Sequence, residues 1–166
     1  MFLYTFVPTI IVCTTMDIES SIKNTVPLSP HAKAVINVLY TSRHIEECSA
    51  HMFKSYDLTA PQFNVLRILR GQKGRPAQLS TIQERMIDKN SNTSRLIDKL
   101  VAKDWVTRRI CRENRRKIEI FITQNGLDKL TEVDPLVEQT NTQLLKDLTL
   151  KEMEQLNMLL DKLRTK

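Results

Sequence analysis

Glycine is scarce, with three residues in a chain of 166, and aromatic side chains make up only 5%. A many-stranded sheet wants glycine in its turns and aromatics in its strands, so this composition argues against one. The three cysteines, Cys13, Cys48 and Cys111, are odd in number and widely spaced. They fit neither a zinc-site spacing nor the disulfide framework of a small secreted domain, and a reducing cytoplasm is the expected setting. No glycine-rich loop is placed to cradle a phosphate. No nucleophile stands beside a base: Ser80, His44 and Asp98 fall on three different predicted helices with nothing to gather them. His31, His44 and His51 lack a companion cluster of cysteines or carboxylates. Catalysis, a bound metal and a cofactor are therefore not expected. Residues 1–15 are apolar and uncharged, yet too short to span a bilayer and interrupted by Pro8. No basic start precedes them, as a secretory signal requires. Residues 1–16 are expected to be an apolar leader that is not native, with Met16 as the natural start. An atypical signal or anchor, or an arm packed on the body, are the alternatives. No membrane partner is expected.

Apolar residues at 41% and charged residues at 27% are present in the proportions of a folded chain. The net charge is +6, which favours anionic partners. Its placement matters more than its size. Between Ser91 and Lys117 there are nine bases and three acids, so this stretch holds the whole excess. The rest of the chain is neutral.

Ser29-Pro30 reads as a helix start, a hydroxyl cap followed by proline in the first turn. Apolar or small residues then recur at helical spacing from Val35 to Tyr56, predicting one long helix that ends near Asp57. Thr59 and Gln62 form a capping box for a short helix with Phe63, Leu66, Ile68 and Leu69 inside. Gly71, Gly74 and Pro76 end it. Leu79 to Met86 predicts a third helix and Asn92 to Lys103 a fourth, the latter burying Leu96, Leu100 and Val101. Trp105 to Ile110 and Lys117 to Ile122 alternate as strands do, and the polar tip between them makes a hairpin. Thr123 caps the next helix, in which Pro135 should introduce a bend. Thr149 and Glu152 form a second capping box, followed by Met153, Leu156, Leu160 and Leu163 in a coiled-coil-like seam.

Two short helices joined by a tight turn match helix-turn-helix geometry, whose second helix enters the major groove. Here that helix presents Ser91, Asn92, Ser94, Arg95 and Lys99. Hydroxyls, an amide and cations suit base edges and phosphates. The hairpin tip presents Arg112, Arg115 and Arg116, and arginine on a narrow projection can enter a minor groove. These eight residues are the expected DNA-binding set.

The order and spacing of these pieces resemble the MarR family of bacterial regulators over Pro30 to Leu163. The strongest likeness lies in Leu58-Thr59-Ala60-Pro61-Gln62-Phe63, in Ser94-Arg95-Leu96-Ile97-Asp98-Lys99-Leu100, and in Glu113-Asn114-Arg115-Arg116 with Ile120-Phe121-Ile122-Thr123 and Gly126. The resemblance implies a mainly α fold with a small β-hairpin wing. A winged helix-turn-helix domain, residues 58–123, is flanked by dimerisation helices, residues 29–57 and 124–166. It further implies a homodimer on a pseudo-palindromic operator in double-stranded DNA, regulating transcription, with relief by a small-molecule effector. In relatives the effector sits between the long first helix and the DNA-binding lobe, which corresponds here to His44, Cys48, Phe63 and Leu66. Two positions depart from the family pattern: Asn114 replaces an aspartate that pairs with a wing arginine, and Asp104 replaces a glycine. Peroxide-sensing relatives carry a cysteine where Val35 stands, so neither Cys48 nor Cys111 has the expected place. The expected function is a ligand-responsive repressor. The alternative is a winged-helix protein-interaction module without DNA binding, for which the loss of charge at Asn114 is the one argument.

Overall fold

The computed structural model describes residues 17–111 and 113–165. The apolar leader, Cys13 and Arg112 lie outside the described residues. The elements in order are α1 (Ile18–Ser21), α2 (Pro30–Lys54), α3 (Ala60–Arg70), α4 (Leu79–Arg85), α5 (Thr93–Ala102), β1 (Val106–Ile110), β2 (Ile118–Ile122), α6 (Gln124–Leu144) and α7 (Leu150–Arg164). The chain divides into two compact units between His44 and Ile45.

The first unit holds α1 and the start of α2. Asp17 caps α1 by accepting from the Ser20 amide at 2.8 Å. Sequence periodicity could not reveal this four-residue helix. The Glu19 carboxylate accepts from the Leu28 amide at 2.7 Å and from Lys33 Nζ at 2.6 Å, which ties the lead-in to the first turns of α2. The Lys33 bond, then the Leu28 amide, holds the Glu19 carboxyl below its ordinary pKa. Ser29 caps α2 as its sequence implies, accepting from the Ala32 amide at 3.3 Å.

The second unit carries the core. Phe53, Leu58, Phe63, Val65, Leu66, Leu69, Ile82, Met86, Ile97, Leu100, Val106, Ile120, Leu130 and Val133 are buried together. Every element from the end of α2 to α6 contributes at least one of them, so burial and not local propensity fixes their arrangement. Helix α2 stops at Lys54, three residues before the expected end, and Asp57 adopts the left-handed conformation at φ 52°. Thr59 and Gln62 form the expected capping box at α3, and Thr149 and Glu152 form the one at α7. On α5 the buried face is Thr93, Ile97 and Leu100. Leu96 is half-buried, and Val101 is exposed, contrary to expectation. Leu96, Ile97, Leu100 and Val101 allow two overlapping stripes one residue apart, and packing selects the one that carries Ile97.

The two strands pair antiparallel, Val106 opposite Ile122 through Ile110 opposite Ile118. Ala77, in the segment before α4, adds a bridge: its amide donates to the Ile120 carbonyl at 2.9 Å, and the Ile120 amide donates back at 2.9 Å. The hairpin root is closed by three local devices. Asp104 takes the left-handed conformation at φ 55°, where aspartate stands in for glycine. Thr123 caps α6 and its hydroxyl donates to the Asp104 carbonyl at 2.7 Å. Gly126 lies so close to the chain that a Cβ there would meet the Trp105 carbonyl oxygen at 2.3 Å. The whole is mainly helical with a two-stranded wing. Among the described residues no helix is long and apolar enough to cross a membrane.

Candidate nucleic-acid interface

Asn92 is the N-cap of α5, and its side chain accepts from the Arg95 amide at 3.1 Å. That bond occupies the Asn92 carbonyl oxygen and leaves its NH₂ group to donate. The turn leading into α5 is held by Asp88. Its carboxylate accepts from Ser91 Oγ at 2.7 Å and from the Asn90 amide at 2.9 Å. The Ser91 hydroxyl, then the Asn90 amide, pulls the Asp88 carboxyl below its ordinary pKa. One turn earlier, the Ile87 amide donates to Asn64 Oδ1 at 2.9 Å, pinning the turn to α3. Asn92, Ser94, Arg95 and Lys99 are exposed on α5, and Ser91 is half-buried ahead of it.

Arg108 of β1 joins the wing to this helix. Its guanidinium pairs with Asp98 at 2.6 Å and donates to the Ser94 carbonyl at 3.3 Å. No sequence signal gave Arg108 this role, because its two targets lie at least ten positions away. On the opposite hairpin face Arg109 stacks over Phe121 at 5.3 Å. At the tip, Asn114 Oδ1 accepts from the Arg116 amide at 3.0 Å, and the Lys117 amide donates to the Asn114 carbonyl at 2.8 Å. Asn114 therefore orders the tip through the backbone, a task that needs no charge. Arg115 and Arg116 are exposed. Among the described residues, Arg95, Lys99, Arg115 and Arg116 enter no ion pair with a carboxylate. Lys99 shares a shallow pocket of about 420 Å³ with Lys54 and Lys103. Lys103 itself pairs with Asp57 at 2.8 Å, and this bond draws the Asp57 carboxyl below its ordinary pKa.

Phe63 and Leu66 are packed in the core, Cys48 is half-buried on α2, and His44 is exposed in the first unit. A cavity of about 630 Å³ in the second unit is lined by Leu58, Pro61, Met86 and Ile87 with Lys54 and Asp88. Its floor is formed by buried Leu58 and Met86, and the turn before α5 forms one wall. Burial of these two residues was invisible in the sequence, since neither lies on a strongly periodic stretch. No group of three or more His, Cys, Asp or Glu side chains is placed to hold a metal ion among the described residues.

Comparison with known proteins agrees with this geometry. Residues 58–118 match the model of the MarR family. The transcriptional repressor MprA of Escherichia coli K12 is 28% identical over 112 residues, which are 68% of this chain and 64% of MprA. The match thus spans under two thirds of that relative's length. Among solved structures, a mutant Escherichia coli MarR complexed with operator DNA superposes with a TM-score of 0.70 at 22% identity, covering 90% of this chain and 100% of that one. BpsR of Bordetella bronchiseptica, solved to explain regulation of its DNA binding by 6-hydroxynicotinic acid, superposes with a TM-score of 0.73 at 22% identity, covering 85% and 99%. The helix-turn-helix capped at Asn92 and the wing strand that carries Arg108 both fall inside the stretch that matches the MarR family model, and the chain shares its winged helix-turn-helix fold with the solved MarR-like structures.

Proposed function

We propose that the protein is a sequence-specific double-stranded DNA-binding transcriptional repressor that acts as a homodimer. The observation that carries this reading is the joint Arg108 makes between α5 and the wing, with Arg95, Arg115 and Arg116 left outside any ion pair among the described residues. Unpaired cations at a helix start and on a narrow blade are the elements that phosphates and grooves require. Asn92, Ser94 and Arg95 offer donors and acceptors to base edges, Ser91 and Lys99 reach the backbone, and Arg115 and Arg116 enter the minor groove together with Arg112.

Homodimerisation through residues 29–57 and 124–166 is supported by uncovered apolar side chains on each. Val35, Leu39 and Tyr40 are exposed on α2, and Leu156, Leu159 and Leu163 on α7. Two α5 helices set about one turn of DNA apart would then match a two-fold operator. BpsR, whose DNA binding is regulated by 6-hydroxynicotinic acid, has the same fold. A small-molecule effector here would take the cavity walled by Met86 and Ile87, because an occupant there touches the turn that orients α5. His44, Cys48, Phe63 and Leu66 are the second candidate set, the one that the family resemblance implies.

The test is a gel shift on DNA from upstream of the protein's own coding sequence. Arg95→Ala should weaken binding and relax base preference. Arg116→Ala should weaken it chiefly at sites with A·T-rich flanks. Both variants binding like the parent would show that other residues do the reading. A parent that shifts no duplex at low salt would favour a protein-interaction module instead.

A further inference from the structure

One face of the hairpin begins inside the core and ends outside it. Cross-strand partners share a face, and so do alternate residues along each strand. Val106 and Ile122, Arg108 and Ile120, and Ile110 and Ile118 therefore lie on the same side. Val106 and Ile120 are buried. One pair further out, Ile110 and Ile118 expose 67% and 52% of their surfaces. An apolar pair beyond the core does nothing for burial, and on a strand end it invites unwanted association. Arg108, on the same face, reaches across to Ser94 and Asp98 of α5. The exposed isoleucines thus look out from the side of the wing that adjoins α5.

Their neighbours narrow the choice of occupant. Arg115, Arg116 and Lys117 are exposed in the connecting tip. A matching partner must offer apolar surface and negative charge together. The minor groove does so: its walls are the C–H edges of deoxyribose, its rims are phosphates, and its floor is most negative where it is narrow. Isoleucine is among the side chains that proteins wedge into this groove. A second copy of the tip offers the opposite, since like charges would meet across the contact.

We propose that Ile110 and Ile118 form an apolar knuckle that packs on the deoxyribose wall of the minor groove when the arginine tip enters it. The wing then grips DNA by shape as well as by charge. This inference rests on the DNA-binding reading above.

Ile110→Thr with Ile118→Thr tests it in the full chain, because threonine keeps the β-branch that suits a strand and removes the apolar reach. The comparison variant is Arg115→Ala with Arg116→Ala. Dissociation constants would be measured across a salt series on the upstream duplex. A second duplex would carry inosine for guanine in the flanks, which removes the minor-groove amino groups. The threonine pair should weaken binding about tenfold at every salt concentration, the scale of one or two methylenes returned to water, with no change in the salt slope. The alanine pair should lower that slope by about two. Inosine flanks should tighten the parent more than the threonine pair. Melting temperatures of both variants should stay near the parent's, confirming an intact fold. Threonine variants that bind like the parent, with the parent binding well, would overturn the inference alone. A variant that turns from dimer to monomer in sedimentation would overturn it in favour of a second copy as the occupant. A parent that binds no duplex would overturn the underlying reading and this inference together.

Discussion

At the scale of single residues, two side chains and one missing side chain fix the wing's place. Arg108 spans from β1 to α5, bonding Asp98 and the Ser94 carbonyl. The pair is partly exposed, so its contribution to global stability is small, about 1 kcal/mol or less. Its contribution to alignment is larger. Arg108→Ala should leave the melting temperature nearly unchanged yet weaken operator binding by about tenfold or more, as misplaced binding groups do. Equal and small effects on both would reduce Arg108 to a surface charge. Gly126 is the opposite case, because a methyl group there would strike the Trp105 carbonyl. Gly126→Ala should cost about 1–3 kcal/mol in chemical denaturation, as overpacking does. Asp104, which replaces a glycine of the family pattern, takes a left-handed backbone conformation at φ 55°. Its carboxylate also accepts from Asn125 Nδ2 at 2.7 Å, a bond that no local pattern announces.

Elements were legible where their signals are local. Thr59 with Gln62 and Thr149 with Glu152 act within one turn, and both boxes form as read. The alternation of Ile118, Ile120 and Ile122 marks one strand face. The α5 stripe was misplaced by one position because its apolar residues come in adjacent pairs, and tertiary contact chooses Ile97 over Val101. The Ala77–Ile120 bridge and the cavity at Met86 depend on residues tens of positions apart, beyond the reach of periodicity. The site itself divides the same way. The cations of α5 and the tip were visible as a charge cluster, whereas the Arg108 joint required the fold.

The turn before α5 has its own pH response. Asp88 is held below its ordinary pKa by bonds that only its ionised form accepts fully. Folded-state lowering means the stabilisation is present above the unfolded pKa and fades as pH falls through the folded one. Asp88→Ala should therefore speed amide hydrogen exchange at Asn90 and Ser91 near neutral pH. The gap from the parent should close in acid, below the ordinary carboxylate range. A gap of constant size across that range would mean that ionisation of Asp88 is irrelevant to the turn.

At the scale of the molecule, α7 has no buried residue, and Leu156, Leu159 and Leu163 remain open to solvent. A helix with this face uncovered gains most of its stability from a partner. Leu156→Glu with Leu163→Glu should produce a monomer in sedimentation and reduce operator affinity by about a hundredfold or more, since one half-site is lost to each chain. An unchanged mass would move the subunit contact elsewhere.

Ile120 does two jobs at once in this architecture. It pairs with Arg108 inside the hairpin and, from its backbone, with Ala77 just ahead of α4. The blade consequently has its pivot at the doorway of the helix-turn-helix. The hairpin and the helix-turn-helix are therefore joined at two points, the Ala77–Ile120 backbone pairing and the Arg108 contact with α5.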